Sequence, residues 1–309
     1  MIISASRRTD IPAFFSEWII NRLKEQYAYV RNPMNIHQVS KINLSPDVVD
    51  CIVFWSKNPK PIINALKDYM YYFQFTLNAY DKDFEENLPT LSTRIDTFQT
   101  LSNYIGKERV IWRYDPIIIN EKYSIDWHIE RFKYLTEQLC LYTEKVTISF
   151  IDLYTKISHN IKGKNIYELS YEQKNTLARY FAEIAYSHNI EIDTCAEDID
   201  LSSYGITHAR CIDDRLISKL LHCSIDIEKD KNQRLECGCI ASIDLGLYNT
   251  CQNGCIYCYA NHSYAIRKQN FETYDPFSPL LCSNITEFDK ITERKVKSQK
   301  NMQLSLFDI

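Results

Sequence analysis

A chain of 309 residues, 45% of them hydrophobic and 25% charged, is long enough to bury a sizeable core and too apolar to be disordered. Its formal net charge of -4 excludes a globally basic nucleic-acid binder, so any such contact must come from a local patch. Eleven cysteines, an odd number crowded toward the final third, point to metal binding in a reducing compartment rather than to disulfides. The start carries no basic segment followed by an apolar run, and no apolar stretch is long enough to cross a bilayer, so a cytoplasmic enzyme is expected.

Taken in order, residues 2–6, 48–55, 72–77, 109–114, 146–150 and 190–194 are dense in β-branched and aromatic side chains, the pattern of buried parallel strands. Amphipathic helical stretches separate them, most clearly residues 171–188, where Ser170 and Gln173 suit a capping box and Leu177, Phe181, Ile184 and Ala185 share one face. Repeated β-then-α units predict a parallel sheet with right-handed crossovers, either an α/β barrel or an open doubly wound sheet. The polar residues just after each strand favour a TIM-like (β/α) barrel. Arg7, Arg8 and Asp10 come after the first, Ser56 and Lys57 after the second, Asn78 after the third, Asp115 after the fourth, Asp152 after the fifth, and Cys195 with Glu197 after the sixth. Strand ends of a barrel converge on one mouth, where chemistry is done.

A seventh strand over residues 240–244 leads into Cys251-Gln-Asn-Gly-Cys255-Ile-Tyr-Cys258, followed by a predicted helix over 259–268. A structural metal site usually takes four protein ligands, whereas three leave one coordination position open for chemistry. The spacing and the aromatic before the last cysteine resemble the cluster loop of the radical S-adenosylmethionine (SAM) superfamily, and the wording is similar to its spore photoproduct lyase branch. That resemblance implies that Cys251, Cys255 and Cys258 hold a [4Fe-4S] cluster whose remaining iron is chelated by SAM. It implies that Tyr257 lies against the adenine, that a reduced cluster cleaves SAM to a 5'-deoxyadenosyl radical, and that a flavodoxin or ferredoxin supplies the electron. Gly254 would allow the tight path around the cluster. In that superfamily the strand, cluster loop and helix open the barrel; here they stand near its end, which implies a circularly permuted and incomplete barrel over residues 1–280. Arg7 or Arg8 then becomes a candidate for the SAM carboxylate, the alternative being that both arginines hold acidic strand ends together.

Over nearly its full length the chain also resembles an uncharacterised bacterial family, domain of unknown function 1848. The matching segments are Ile3-Ser-Ala-Ser-Arg-Arg-Thr-Asp-Ile-Pro12, Val53-Phe-Trp-Ser-Lys-Asn-Pro59, Trp112-Arg-Tyr-Asp-Pro116, Thr194-Cys-Ala-Glu197 and the cysteine loop. Arg113, Asp115 and Cys195 are the candidate catalytic residues. Cys195, Cys211, Cys237 and Cys239 form a second group of thiols that would suit an auxiliary [4Fe-4S] cluster or a zinc ion, with Gly238 letting its two neighbours turn to one side. Alternatively Cys195 or Cys211 donates a hydrogen atom to a substrate radical, or these are buried packing cysteines. Cys51, Cys140, Cys223 and Cys282 read as packing residues.

Residues 281–309 read as a polar tail that ends Gln303-Leu-Ser-Leu-Phe307-Asp-Ile309. Gln303, Leu304, Leu306 and Phe307 resemble the peptide with which bacterial replication and repair proteins bind the sliding clamp, the alternative being a strand folded back on the domain. Clamp recruitment would make DNA the substrate, and residues 154–167, basic with interleaved tyrosines, would track its phosphates and stack its bases. The expected function is a radical SAM enzyme in DNA repair or modification. Two alternatives stay open: the same chemistry on a peptide, RNA or small molecule, and a zinc-stabilised nucleic-acid-binding module without catalysis.

Overall fold

The computed structural model describes residues 1–301. In chain order its strands are β1 (Ile2–Ala5), β2 (Tyr27–Asn32), β3 (Asn35–Asn43), β4 (Cys51–Ser56), β5 (Tyr71–Thr76), β6 (Val110–Ile117), β7 (Lys145–Phe150), β8 (Glu191–Thr194), β9 (Thr207–His208), β10 (Ser224–Ile225), β11 (Ile243–Asp244), β12 (Lys290–Arg294) and β13 (Lys300–Asn301). The helices are α1 (Ile11–Phe14), α2 (Ser16–Glu25), α3 (Leu91–Ile105), α4 (Ile125–Leu139), α5 (Tyr171–Ser187), α6 (Asp214–Leu221) and α7 (Tyr264–Glu272).

Eight strands form one parallel sheet in the order β11-β1-β4-β5-β6-β7-β8-β9. From β1 to β9 the spatial order follows the chain without the reversal that marks a doubly wound sheet. The ladder is linear, and among the described residues no pairing joins β9 to β11, so hydrogen bonding does not close it into a ring. Its central strands are buried on both faces. One face sets Phe54, Phe73, Trp112 and Ile148 against Phe98, Phe132 and Phe181 of α3, α4 and α5. There Phe132 and Phe181 stack with centroids 4.0 Å apart, a pair worth about 0.5–1.5 kcal/mol beyond its buried area. The other face sets Ile2, Val53, Tyr72 and Ile111 against Cys211, Ile212, Ile217 and Ile240, so the late part of the chain fills the side opposite the helices.

Helix α5 forms where expected and begins with the full capping box of Ser170 and Gln173, worth about 1 kcal/mol. The strand expected over 48–55 begins only at Cys51 and the one over 109–114 runs on to Ile117, and the two elements around the cysteine loop also differ from the expectation. The last helix starts at Tyr264, because Asn249 Oδ1 accepts from the His262 and Ser263 amides and Ser263 then caps the helix through Ile266 N. The strand expected over 240–244 shrinks to β11, because Ile240 N donates to Ile212 O across the opposite face while only Ile243 and Asp244 pair with β1.

Part of the stretch read as a polar tail is built into the fold. β12 adds to the β2–β3 hairpin alongside β3, and β13 pairs with β10. The Met1 amino group donates to Lys297 O at 2.9 Å, while Ser298 Oγ and Gln299 N donate to the buried Asp50 carboxylate. The clamp-like segment 303–307 lies outside the described residues. Among the described residues no helix is long and apolar enough to cross a membrane.

Candidate active site at the strand ends

The last residues of β6 and those at or just after the ends of β1, β4, β7, β8 and β11 line one cavity of about 1130 Å³ at the C-terminal ends of the parallel strands. Arg7, Arg8, Arg113, Asp115, Tyr257, the three loop cysteines and all four cysteines of the second group open on it. The candidates from the two ends and the middle of the sequence therefore share one space. Of the basic loop 154–167, only Tyr154 lines the cavity; Lys156 and Lys162 are exposed outside it.

The cysteine loop is tied to the stretch after β5. Cys255 bridges Glu85, Ile256 N donates to Phe84 O, Asn87 N donates to Asn253 O, and Asn87 Nδ2 donates to Gln252 O at 2.8 Å. Gly254 turns the loop with φ +72°, and a Cβ there would stand 3.0 Å from Asn87 Nδ2 and 3.1 Å from Glu86 Cβ. Asp10 joins this loop to two others: its carboxylate accepts from Ser56 Oγ at 2.7 Å, Lys57 N at 2.8 Å and Asn253 Nδ2 at 3.0 Å, and it caps α1 through Ala13 N. Burial raises the Asp10 pKa against those four donors.

Glu85, 1% exposed, is the centre of a second network that the sequence reading missed. It accepts from Lys57 Nζ at 2.8 Å, from Arg94 Nη1 at 3.1 Å and from the Tyr257 hydroxyl. Tyr257 is thereby fixed with its ring edge-on to Tyr80 at 6.0 Å. Burial pushes the Cys251 thiol up to about 12 and lifts Cys255 well above the usual thiol range, with Lys57 acting against it. Ligation by these two sulfurs therefore requires loss of their protons.

The two arginines expected near the SAM carboxylate have separate roles. Arg8 faces the acidic end of β11: its Nε lies 4.0 Å from Asp244 Oδ1, its Nη1 donates to Gly246 O at 3.4 Å, and its guanidinium sits over Tyr248. Arg7 lies over Trp55, and its Nη2 is buried without a hydrogen-bond partner. Burial opposes the Arg7 charge, but the thiols of Cys239, Cys211 and Cys237 and the Asp244 carboxylate outweigh it and hold the guanidinium charged.

Arg113 projects from β6 into the face opposite the helices. Its Nε and Nη2 both donate to Asp115 Oδ2, at 2.9 and 2.5 Å, and its Nη1 lies 2.9 Å from Cys211 Sγ. Asp115 Oδ1 accepts from the Ser149 hydroxyl. Cys195 Sγ stands 3.4 Å from Cys211 Sγ, and Ile212 N, next to Cys211 in the chain, donates to Cys239 Sγ at 3.4 Å. The four cysteines of the second group, 195, 211, 237 and 239, thus come to one part of the cavity from remote segments. Contacts from Cys195 and Cys239 hold Cys211 well below the usual thiol range, and Cys239 holds Cys237 down to about 6. Among the remaining cysteines, Cys51 and Cys282 are buried, and Cys140 and Cys223 are half-buried.

Among the described residues no three His, Cys, Asp or Glu side chains are gathered around one point as a single metal ion requires. A tetrahedral zinc would draw its sulfurs to about 2.3 Å from one centre. A cubane cluster spreads its ligands over separate irons, which suits three thiols that line one cavity without being gathered around one point. No curated protein matches the chain. Residues 2–260 match the family described as Domain of unknown function (DUF1848), and the chain belongs to that family.

Proposed function

We propose that this protein is a radical SAM enzyme built on a permuted, incomplete (β/α) barrel. The observation that carries the reading is the convergence of Cys251, Cys255 and Cys258 with a charged, partly unpaired arginine in one cavity at the strand ends. The parallel pairing of β11 with β1 supports the permutation, since it sets the unit that carries the cysteine loop beside the first strand.

A [4Fe-4S] cluster and SAM, if bound here, would supply the radical chemistry of reductive SAM cleavage, the hard chemistry that a protein leaves to its cofactor. The chain's own part is to hold and to shield. Cys251, Cys255 and Cys258 would be the cluster ligands, and Gly254 keeps the loop close to residues 86–87. Glu85 and Lys57 fix the Tyr257 hydroxyl, and Asp10 ties Asn253 to the loops after β1 and β4. Arg7 offers a buried N–H donor that an anionic group entering the cavity, such as the SAM carboxylate, would satisfy. The Arg113–Asp115–Ser149 chain forms the polar wall across which a substrate would lie.

DNA is the substrate class we favour. Its support is the clamp-like segment 303–307 together with Tyr154 and Tyr259, whose rings stand 5.8 Å apart where both line the cavity and which suit the stacking of an extruded base. Anaerobic reconstitution with iron and sulfide, dithionite reduction and addition of SAM test the chemistry. Release of 5'-deoxyadenosine, lost on Cys255→Ala, is the expected result; uptake of zinc without SAM cleavage would overturn it. Deleting residues 303–307 should abolish sliding-clamp binding, and unchanged binding would remove the support for recruitment.

A further inference from the structure

We infer that Cys195, Cys211, Cys237 and Cys239 hold a second [4Fe-4S] cluster, ligated by protein alone, in the same cavity as the cysteine loop. The four residues come from three separate segments: the turn after β8, the turn after β9, and the loop that runs toward β11. Their side chains nevertheless meet, with Cys195 and Cys211 at 3.4 Å and Ile212 N donating to Cys239 Sγ at 3.4 Å. Chance packing of free cysteines does not require such convergence. The backbone is shaped for it as well. Gly238 N donates to Ala209 O at 3.2 Å, and a Cβ on Gly238 would stand 2.7 Å from Arg210 Cγ and 3.1 Å from Ala209 O. Only a glycine lets the segment 237–239 lie this close to the segment 209–211 and point both flanking thiols inward.

Charge completes the site. A [4Fe-4S] core of charge 2+ on four thiolates carries two net negative charges, which need compensation in a buried place. Arg113 reaches Cys211 Sγ at 2.9 Å, and Arg7 has a buried Nη2 with no partner on the same side of the sheet. Arg7 brings a positive charge with an unpaired N–H donor, while Arg113 shares its charge between Asp115 and the Cys211 sulfur. A single zinc needs its sulfurs gathered around one point, and among the described residues no three such side chains are gathered that way. Cys195 and Cys211 must part as separate irons bind, and Cys195, only half-buried at the cavity wall, has room to turn.

This site does not depend on the reading of the cysteine loop, and the two are separable by iron analysis of the full chain after anaerobic reconstitution. The wild type should hold about eight irons and the combined Cys251→Ala, Cys255→Ala, Cys258→Ala variant about four, with about four sulfides and a broad charge-transfer band. If the loop binds no cluster, the wild type and that variant both hold about four, and the inference stands while the proposed function falls. A folded variant that holds no iron, or one zinc in its place, overturns the inference. Electron paramagnetic resonance of the reduced wild type decides the matter without any variant. A signal that SAM leaves unchanged is expected, and a single cluster signal shifted entirely by SAM would refute the second cluster.

Discussion

The buried carboxylate of Glu85 offers the sharpest test of how the site is held. It is 1% exposed, with Lys57 Nζ at 2.8 Å and Arg94 Nη1 at 3.1 Å, and the side chains of those partners are 13% and 3% exposed. Glu85→Gln keeps the volume and removes the charge, leaving two buried cations beside a neutral amide. Breaking a buried ionic group from one side costs about 3–5 kcal/mol, because the remaining charge has been desolvated without its counterpart. Burial already acts against the Lys57 ammonium, and Glu85 is the leading group that restores its charge, so the variant's Lys57 relieves part of the penalty by losing its proton. The deficit should therefore shrink as pH rises. Equilibrium urea unfolding under reducing conditions measures it. The control is Glu183→Gln on the α5 surface, whose pair with Arg179 spans 3.8 Å with side chains 61% and 49% exposed, and which should cost under about 1 kcal/mol. A Glu85→Gln cost as small as that of the control would refute the reasoning, and with it the idea that this network anchors Tyr257 and the cysteine loop.

Three further outcomes are expected. His128 is buried between the Tyr114 hydroxyl at 2.8 Å and Ile118 O at 2.9 Å, and burial lowers its pKa to about 4. The unfolded chain then binds the extra proton between about pH 6.5 and 4, so this group removes about 3 kcal/mol of stability as pH falls through that window. His128→Gln, which retains a donor for Ile118 O, should flatten the slope in unfolding titrations. Gly254→Ala places a Cβ 3.0 Å from Asn87 Nδ2 at a φ of +72°, a strain of about 1–3 kcal/mol, and should lower loop iron in reconstituted protein while sparing iron held by the second thiol group. A chain ending at residue 280 loses the 2.5 and 2.8 Å hydrogen bonds from Ser298 and Gln299 to Asp50 and the 2.9 Å bond from Met1 to Lys297. It should unfold with about 3–5 kcal/mol less stability; an unchanged midpoint would make residues 281–301 an appendage.

The sheet was legible because its strands are buried on both faces and so are written as unbroken runs of β-branched and aromatic residues, which no other element here resembles. The β2–β3 hairpin was not. Its side chains are largely half-buried or exposed, and its signal was the turn Asn32-Pro33-Met34-Asn35 between two weakly alternating stretches. Most residues expected at the strand ends line one cavity, because the direction of a parallel sheet fixes where its loops gather, but Asn78 after β5 does not line it and instead holds Asp115 through its side chain. Glu85 was invisible for the opposite reason. It sits in Asp81-Lys-Asp-Phe-Glu-Glu86, which reads as a solvated charged loop, and only the arrival of Lys57 and Arg94 from other elements makes it a buried centre. Cys251, Cys255 and Cys258 announced themselves by spacing, whereas the convergence of Cys195, Cys211 and the 237–239 pair depends on the ladder order of β8 and β9 and on a glycine contact that no spacing encodes.

Ladder order also explains why the position of the cysteine loop in the sequence matters so little. A site at the strand ends requires that certain strands be neighbours, and β1 has β4 on one side and β11 on the other although nearly two hundred residues separate those two in the chain. Asp10 shows the consequence at atomic scale. Its carboxylate takes donors from its own loop, from the loop after β4 and from Asn253 of the cysteine loop, so three segments remote in sequence are registered by one buried group. The loop after β11 would meet the same Asp10 wherever the chain began, provided β11 lay against β1. Asp10→Asn keeps the size but turns an acceptor toward donors into an amide that faces Lys57 N and Asn253 Nδ2 with N–H groups of its own. If adjacency in the sheet rather than order in the chain builds the site, that single change should lower iron uptake at the cysteine loop and leave the thiols of Cys195, Cys211, Cys237 and Cys239 untouched.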